Sequence, residues 1–160
     1  MMNLLKVMLF TISIATSYIG IAQDVVETDA TKLKADLKTL LKPDYKYDSS
    51  TTTRFKYSSE PKGKEIEVPL FMGEKYRFLF NIAGAENIEI NIYDKSSVKE
   101  KRTLLFSSKN AVSEGKIYTF EPEKSRKMYI NYTIPASENM ETSGCVLFML
   151  GYKFKTLTKN

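Results

Sequence analysis

The feature that most constrains the fold is a series of short runs in which apolar and polar residues alternate. In residues 66–70, for example, Ile66, Val68 and Leu70 alternate with Glu65 and Glu67. A period of two gives each β-strand one buried face and one wet face. Similar runs occupy residues 76–82, 88–92 and 128–134, and shorter candidates occupy 102–107 and 116–121.

The first and last candidate strands depart from this simple pattern. Tyr45, Tyr47, Phe55 and Tyr57 share one parity, and the hydroxyl-rich stretch 49–53 between them predicts a bend. The last run, from Cys145 to Phe154, is apolar on both faces. Such a strand is expected at the centre of a sheet, or beneath a helix that covers its outer face.

Glycine, proline and other turn-forming residues separate these runs, for instance in Pro61-Lys62-Gly63, Met72-Gly73-Glu74 and Ser113-Glu114-Gly115. About eight short strands at this spacing predict an all-β fold, an antiparallel two-sheet β-sandwich of the jelly-roll-like kind. A closed barrel is the alternative architecture.

One helix precedes the strands, at about residues 30–42. Leu33, Leu37, Leu40 and Leu41 recur at helical spacing, Asp29 or Thr31 can cap the start, and Pro43 ends the helix. The opposite face carries charged residues, so the pattern predicts an amphipathic helix that packs its leucine stripe on a sheet.

The first 22 residues have the pattern of a secretory signal peptide. Lys6 supplies a positive n-region, residues 7–21 are mostly apolar, and Gly20-Ile21-Ala22 is a small-x-small cleavage site. A membrane anchor is the alternative, but a spanning helix needs about 20 apolar residues and this run is shorter. We expect cleavage after Ala22, export to the periplasm or beyond, and no transmembrane segment in the mature form.

Residues 23–160 are the right length for a single β-sandwich domain. The chain has one cysteine, so it forms no intrachain disulfide. Because Cys145 opens the apolar run 145–150, the sequence predicts an inert, buried thiol.

The net charge of +5 does not indicate nucleic-acid binding. The basic clusters at Lys99, Lys101 and Arg102 and at Lys124, Arg126 and Lys127 have acidic neighbours, whereas a nucleic-acid footprint is a patch of one sign. No nucleic-acid partner is therefore expected.

The residue types that carry most enzyme chemistry are scarce. The chain has no histidine, which removes the commonest general base and metal ligand. There is no Gly-x-Ser-x-Gly elbow and no phosphate-binding glycine loop. The carboxylate pairs Glu65/Glu67, Glu86/Glu89 and Glu121/Glu123 could in principle support glycoside hydrolysis, but the alternation puts Glu65 and Glu67 on a wet face. No catalytic residue, cofactor or metal site is predicted.

Tyrosine is the one enriched residue type with a binding role, with ten in the chain. Tyr93 and Tyr129 fall on the polar parity of their strands, so they are the predicted ligand-binding surface. Aromatic rings can stack on sugars because they combine apolar area with a polar tip. Aromatic residues are also favoured in strands for structural reasons alone.

Several stretches resemble known exported proteins. They include Lys75-Tyr76-Arg77-Phe78, Ile90-Asn91-Ile92-Tyr93-Asp94, Tyr118-Thr119-Phe120-Glu121-Pro122 and Gly144-Cys145-Val146-Leu147-Phe148. Over about residues 64–155 the chain resembles small exported β-sandwich proteins of Bacteroidota-type bacteria, which have no assigned activity. The strand order is also loosely similar to the bacterial pre-peptidase C-terminal domain, a jelly-roll-like module without catalytic function.

Together these observations predict a non-enzymatic exported module of the bacterial envelope that binds or supports a partner. That partner would be another envelope protein or a polysaccharide. A stand-alone glycan-binding module that uses Tyr93 and Tyr129 is the second hypothesis, and a carboxylate-based hydrolase is the third.

Overall fold

The structure, a computed structural model, describes residues 31–85, 87–139 and 142–155. This part of the chain contains one short helix, α1, at residues 31–39. It also contains eight strands: β1 (Lys46–Lys56), β2 (Lys62–Val68), β3 (Glu74–Asn81), β4 (Glu89–Tyr93), β5 (Leu104–Ser107), β6 (Ile117–Phe120), β7 (Met128–Ile134) and β8 (Ser143–Phe154).

The strands form two four-stranded sheets in which every pairing is antiparallel. Sheet A has the order β1-β8-β3-β6, and sheet B has the order β2-β7-β4-β5. The all-β, antiparallel, two-sheet prediction with about eight strands is therefore confirmed. No strand of the described chain is shared between the sheets, so the arrangement is sandwich-like and not one closed sheet.

One apolar core lies between the two sheets. Phe78, Phe80 and Phe148 of sheet A form a ring cluster with centroids 5.2–6.4 Å apart, and Phe80 stacks on Phe106 of sheet B at 6.4 Å. The alternating runs supply this core as predicted. Their buried members are Val68, Leu70, Tyr76, Phe78, Phe80, Ile88, Ile90, Ile92, Met128, Ile130, Tyr132 and Ile134.

A second, smaller core lies on the other side of sheet A, beneath α1. Leu37 and Leu41 pack there against Leu79, Leu147 and Met149. This contact explains why β8 is apolar on both faces. It is a central strand, between β1 and β3, and α1 covers its outer face, so both predicted reasons for the pattern hold.

The helix ends at residue 39, before the predicted end at 42. Its last turn tightens, because the backbone N–H groups of Leu40, Leu41 and Lys42 donate to carbonyls three residues back. Leu40 lies outside the buried stripe and is 43% exposed. The face that meets the sheet is thus Leu33, Leu37 and Leu41, at a spacing of four.

The first strand contains an irregularity that separates its aromatic residues. The register with β8 shifts between Tyr47 and Ser49, in the region where the sequence predicts a bend. Because an extra residue reverses the alternation, Tyr45 packs beneath α1 while Phe55 and Tyr57 contact the core between the sheets. The expectation that these aromatics share one face is wrong for this reason.

Some sequence predictions concern residues that the structure does not describe. The signal peptide at 1–22, the capping residue Asp29 and the carboxylate Glu86 lie outside the described residues. Within the described ranges, no helix is both long enough and apolar enough to cross a membrane.

Candidate functional site

The two predicted binding residues lie side by side on the outer face of sheet B. Tyr93 on β4 and Tyr129 on β7 are direct register partners, and Tyr129 in turn faces Glu67 on β2. Residues opposite each other in an antiparallel pair have Cβ atoms about 5 Å apart. Both tyrosines are half-buried. We use the name tyrosine face for the outward residues of this region, which are Glu65, Glu67, Asn91, Tyr93, Tyr129 and Asn131.

The loop between β4 and β5 folds across this face. The Ser96 hydroxyl and the Ser97 backbone N–H donate to the Glu65 carboxylate, at 3.1 and 3.0 Å. Because β2 is separated from β4 by β7, these bonds carry the loop over the middle of sheet B. The loop base is closed by a pair of bonds between Asp94 and Thr103.

Arg102, at the end of this loop, covers one side of the Tyr93 ring. Its guanidinium carbon is 3.8 Å from the ring centroid, a cation–π contact. Its Nη1 atom lies 3.5 Å from Glu65 Oε2, close enough for an ion pair. That atom is buried and has no hydrogen-bond partner in the described part of the chain. Arg102 therefore links Tyr93 to Glu65 by charge.

Two carboxylates on the outer side of sheet B, Glu67 of the tyrosine face and Glu89 beside it, are paired with lysines. Lys127 Nζ is 2.6 Å from Glu67 Oε1, and this bond lowers the pKa of Glu67 and raises that of Lys127. Lys109 pairs with Glu89 at 2.8 Å, and its bond lowers the pKa of Glu89. Desolvation, with the Glu67 charge beside it, raises the pKa of the Tyr129 hydroxyl. The tyrosine face therefore favours an ionised Glu67 carboxylate beside a neutral Tyr129 phenol.

Two asparagines complete the face, and the sequence reasoning did not identify them. Asn131 lies between Glu65 and Asn91 in the ladder. The Asn91 side-chain N–H₂ donates to Glu89 at 2.8 Å, while its Oδ1 atom is buried without a hydrogen-bond partner among the described residues. Both asparagines share the outward parity of the tyrosines, and this alternation could have identified them from the sequence.

In the predicted pair Glu121/Glu123, Glu121 has a structural role. Glu121, just after β6, accepts hydrogen bonds from the Tyr45 hydroxyl at 2.8 Å and from Arg77 Nε at 2.7 Å. Partial burial opposes ionisation of Glu121, but these bonds outweigh it, and its pKa is below the usual range. A general acid in glycoside hydrolysis needs a raised pKa. None of Glu67, Glu89 and Glu121 has one.

Cys145 does not lie in the core, contrary to the prediction of a buried thiol. Val146 points between the sheets, so its neighbour Cys145 points outward, opposite Arg54 on β1. Its side chain is half-buried against Gly84. It lines an open cavity of about 790 Å³ near the start of α1, with walls that include Leu33, Asp36, Arg54, Phe55 and Gly84.

Within residues 31–85, 87–139 and 142–155, no three histidine, cysteine or acidic residues are grouped so that they could hold a metal ion. Compared with protein-family models and with curated proteins, the sequence matches none.

Proposed function

We propose that this chain is a non-enzymatic binding module, exported to the bacterial envelope, and that its tyrosine face contacts another envelope protein. The observation that carries the proposal is the Tyr93–Tyr129 pair, framed by paired charges on the outer face of sheet B. Tyrosine and arginine are the residues that most often dominate the energy of protein–protein contacts.

The chemistry of the described side chains supports binding over catalysis. The chain has no histidine, and lysines lower the pKa of Glu67 on the tyrosine face and of Glu89 beside it. A hydrolase would need one protonated carboxyl group near neutral pH. The hydrolase hypothesis is therefore the weakest of the three.

The position of Arg102 favours a protein partner over a polysaccharide. A sugar that stacks on Tyr93 would compete with the guanidinium 3.8 Å above the ring. A protein carboxylate or carbonyl could instead bind Arg102 where it lies. Glycan binding through Tyr129 and the neighbouring asparagines is the alternative function.

The signal-peptide pattern of residues 1–22 supports export. We also infer that the sandwich is a jelly roll. The pairs β1–β8, β2–β7, β3–β6 and β4–β5 are those of one long antiparallel ribbon folded over itself. A jelly-roll-like fold is what the resemblance to the pre-peptidase C-terminal domain implies, and this strand order agrees with that expectation.

Cross-linking in intact cells tests the proposal. The tagged full-length chain is compared with Tyr129→Ala, Arg102→Ala and, as a control on the other sheet, Lys56→Ala. We expect one cross-linked envelope protein that is lost in the first two variants and kept in the third. Equal recovery from all four proteins would contradict a role for this face.

A pull-down on insoluble polysaccharides distinguishes the alternative. If the purified chain is retained, and Tyr93→Ala or Tyr129→Ala abolishes retention, the glycan-binding function is correct and the protein-partner proposal is wrong. Reproducible substrate turnover that a single substitution abolishes would overturn the non-enzymatic assignment.

A further inference from the structure

One end of the sandwich carries large apolar side chains that face solvent. In the turn between β2 and β3, Phe71 is 70% exposed and Met72 is 91% exposed, and Phe154 at the end of β8 is 65% exposed. We call these three residues the apolar tip. Single exposed apolar residues are normal, but a cluster drawn from two distant segments indicates an interaction surface.

The fold holds the apolar tip together. The backbone N–H of Lys155 donates to the Gly73 carbonyl at 2.9 Å, and Phe154 is the register partner of Glu74. Gly73 has a φ of 91°, which lets the turn project, and the Phe71 N–H donates to the Tyr76 hydroxyl at 3.0 Å. Phe71 and Met72 are therefore exposed on a turn that hydrogen bonds hold in place.

Basic side chains surround the apolar tip. Lys46 Nζ lies 5.8 Å from the centre of the Phe154 ring, and Lys75 and Lys155 flank the turn in sequence and in the sheet. A second loop adds to them, because the Ser125 hydroxyl donates to the Glu74 carbonyl. We call the exposed residues Lys46, Lys75, Lys124 and Lys155 the basic collar. Arg126, on the same loop as Lys124, acts on Asp94 by its charge.

Two of the acidic groups at this end of the sandwich are paired with cations outside the basic collar. Glu67 pairs with Lys127 and Glu121 pairs with Arg77, whereas Glu74 accepts a hydrogen bond from the Tyr76 hydroxyl and Asp48 acts on the same tyrosine by its charge. Glu123 is the remaining exposed carboxylate of the second loop. Among the described residues, no collar residue forms an ion pair of 4 Å or less.

We propose that the apolar tip and its basic collar dock on the surface of a bilayer that contains anionic lipid. A projecting turn offers no groove for a partner's side chain, whereas a fluid acyl phase accepts protruding Phe and Met side chains without a preformed pocket. Lysine and arginine stems are long enough to keep their charges at the headgroups. Each basic residue near an anionic membrane surface also strengthens binding.

Vesicle co-sedimentation tests this inference. The chain beginning at Gln23 is used, so that the apolar residues 7–21 make no contribution. The probes are vesicles of phosphatidylcholine alone and of phosphatidylcholine mixed with phosphatidylglycerol. We expect binding to the mixed vesicles that weakens as salt rises and is much weaker without phosphatidylglycerol.

Two surface variants and one matched control complete the test. Phe71→Ser and Met72→Ser should each reduce vesicle affinity about tenfold, because each removes an inserting side chain. Val112→Ser is the control. Val112 is 90% exposed on the β5–β6 loop, which adjoins Ile82 beyond the opposite end of β3. Thermal unfolding of all three variants should match that of the parent chain.

Three outcomes would overturn the inference. They are no sedimentation with mixed vesicles, equal loss of binding in Val112→Ser, and unchanged binding in both tip variants. A concentration-dependent dimer that Met72→Ser abolishes, without vesicle binding, would assign the apolar tip to self-association. Tyr129→Ala should leave vesicle binding unchanged, which separates this surface from the tyrosine face.

Discussion

Arg77 on β3 and Glu121 after β6 form a two-point contact in which Nε and Nη2 lie 2.7 and 2.6 Å from Glu121 Oε1. The remaining arm of the guanidinium donates to the Leu40 carbonyl at 3.0 Å, at the end of α1. The guanidinium also lies 4.3 Å from the centre of the Tyr45 ring. One side chain therefore ties the helix, β3 and the segment after β6 to each other.

Replacing this arginine should loosen the helix. We expect Arg77→Met to lower the free energy of unfolding by about 1–2 kcal/mol, because a charge-assisted bond and a helix carbonyl both lose their partner. Urea unfolding followed by circular dichroism measures the change. Lys127→Met is the matched control, since its ion pair with Glu67 is exposed and should contribute little. Equal effects of the two substitutions would contradict the anchoring role.

The same contact predicts a pH dependence. The pKa of Glu121 is lowered in the folded protein, so the folded state favours its ionised form. The resulting stabilisation is complete above the unfolded pKa of about 4.3 and decreases as the pH falls through the folded value. The stability difference between the parent chain and Arg77→Met should therefore be largest at pH 7 and shrink towards pH 3. If the stability difference stayed constant from pH 7 to pH 3, ionised Glu121 would not be the source of the stabilisation.

Close packing of the helix on β8 requires a glycine. A Cβ atom on Gly151 would overlap Leu41 Cδ2 and stand 3.2 Å from the Lys46 carbonyl oxygen. Leu41 is buried beneath α1, so it has little room to move. We expect Gly151→Ala to destabilise the protein by about 1–3 kcal/mol.

Gly63→Ala on β2 is the matched control, because a Cβ there meets no atom within 4 Å. Its effect should stay within about 0.5 kcal/mol. Chemical unfolding of both variants measures the two values. If Gly151→Ala proved as mild as its control, the proposed close contact between α1 and β8 would be wrong.

The core between the sheets contains a hydroxyl, that of Tyr132, which we expect to lower the stability of the protein. Tyr132 is fully buried, desolvation raises its pKa, and its hydroxyl has no hydrogen-bond partner in the described part of the chain. The Thr53 hydroxyl is near enough to affect this pKa but is outside hydrogen-bond geometry.

Because a buried hydroxyl without a partner is costly, Tyr132→Phe should raise the free energy of unfolding by about 1 kcal/mol. Thermal and urea unfolding are the measurements. Tyr76→Phe is the contrast, since the Tyr76 hydroxyl donates to Glu74 and accepts from the Phe71 N–H. Loss of this hydroxyl should destabilise the protein. Destabilisation by Tyr132→Phe would mean that its hydroxyl is well paired.

The sequence predicted the core well because alternation has a direct physical cause. Ile90, Ile92 and Ile130 are buried since every second residue of a strand points the same way. The prediction of a shared face failed for Tyr45 and Tyr47, because a single extra residue at the register shift reverses the alternation. No residue type in this stretch marks the position of the extra residue. The apolar pattern of β8 predicted a central strand or one covered by the helix, and β8 is both.

The candidate site was only partly predictable. Parity was sufficient to put Tyr93 and Tyr129 outward, but their direct pairing depends on the register between β4 and β7. The stacking of Arg102 on Tyr93 depends on bonds from Ser96 and Ser97 to a strand more than 30 residues earlier. Such long-range contacts leave no periodic pattern in the sequence.

The position of Cys145 leads to a last prediction. Because its thiol is half-buried at a cavity wall and not in the core, a small thiol reagent should modify it in the native protein. We expect labelling by Ellman's reagent to be faster than global unfolding, and its rate to be unaffected by the stabilising Tyr132→Phe substitution. Adding a methyl group at Gly84 should slow the reaction, since a Cβ there would stand 2.6 Å from Cys145 Sγ. If labelling occurred only when the chain unfolds, the Cys145 thiol would be buried in the core, as the sequence alone predicts.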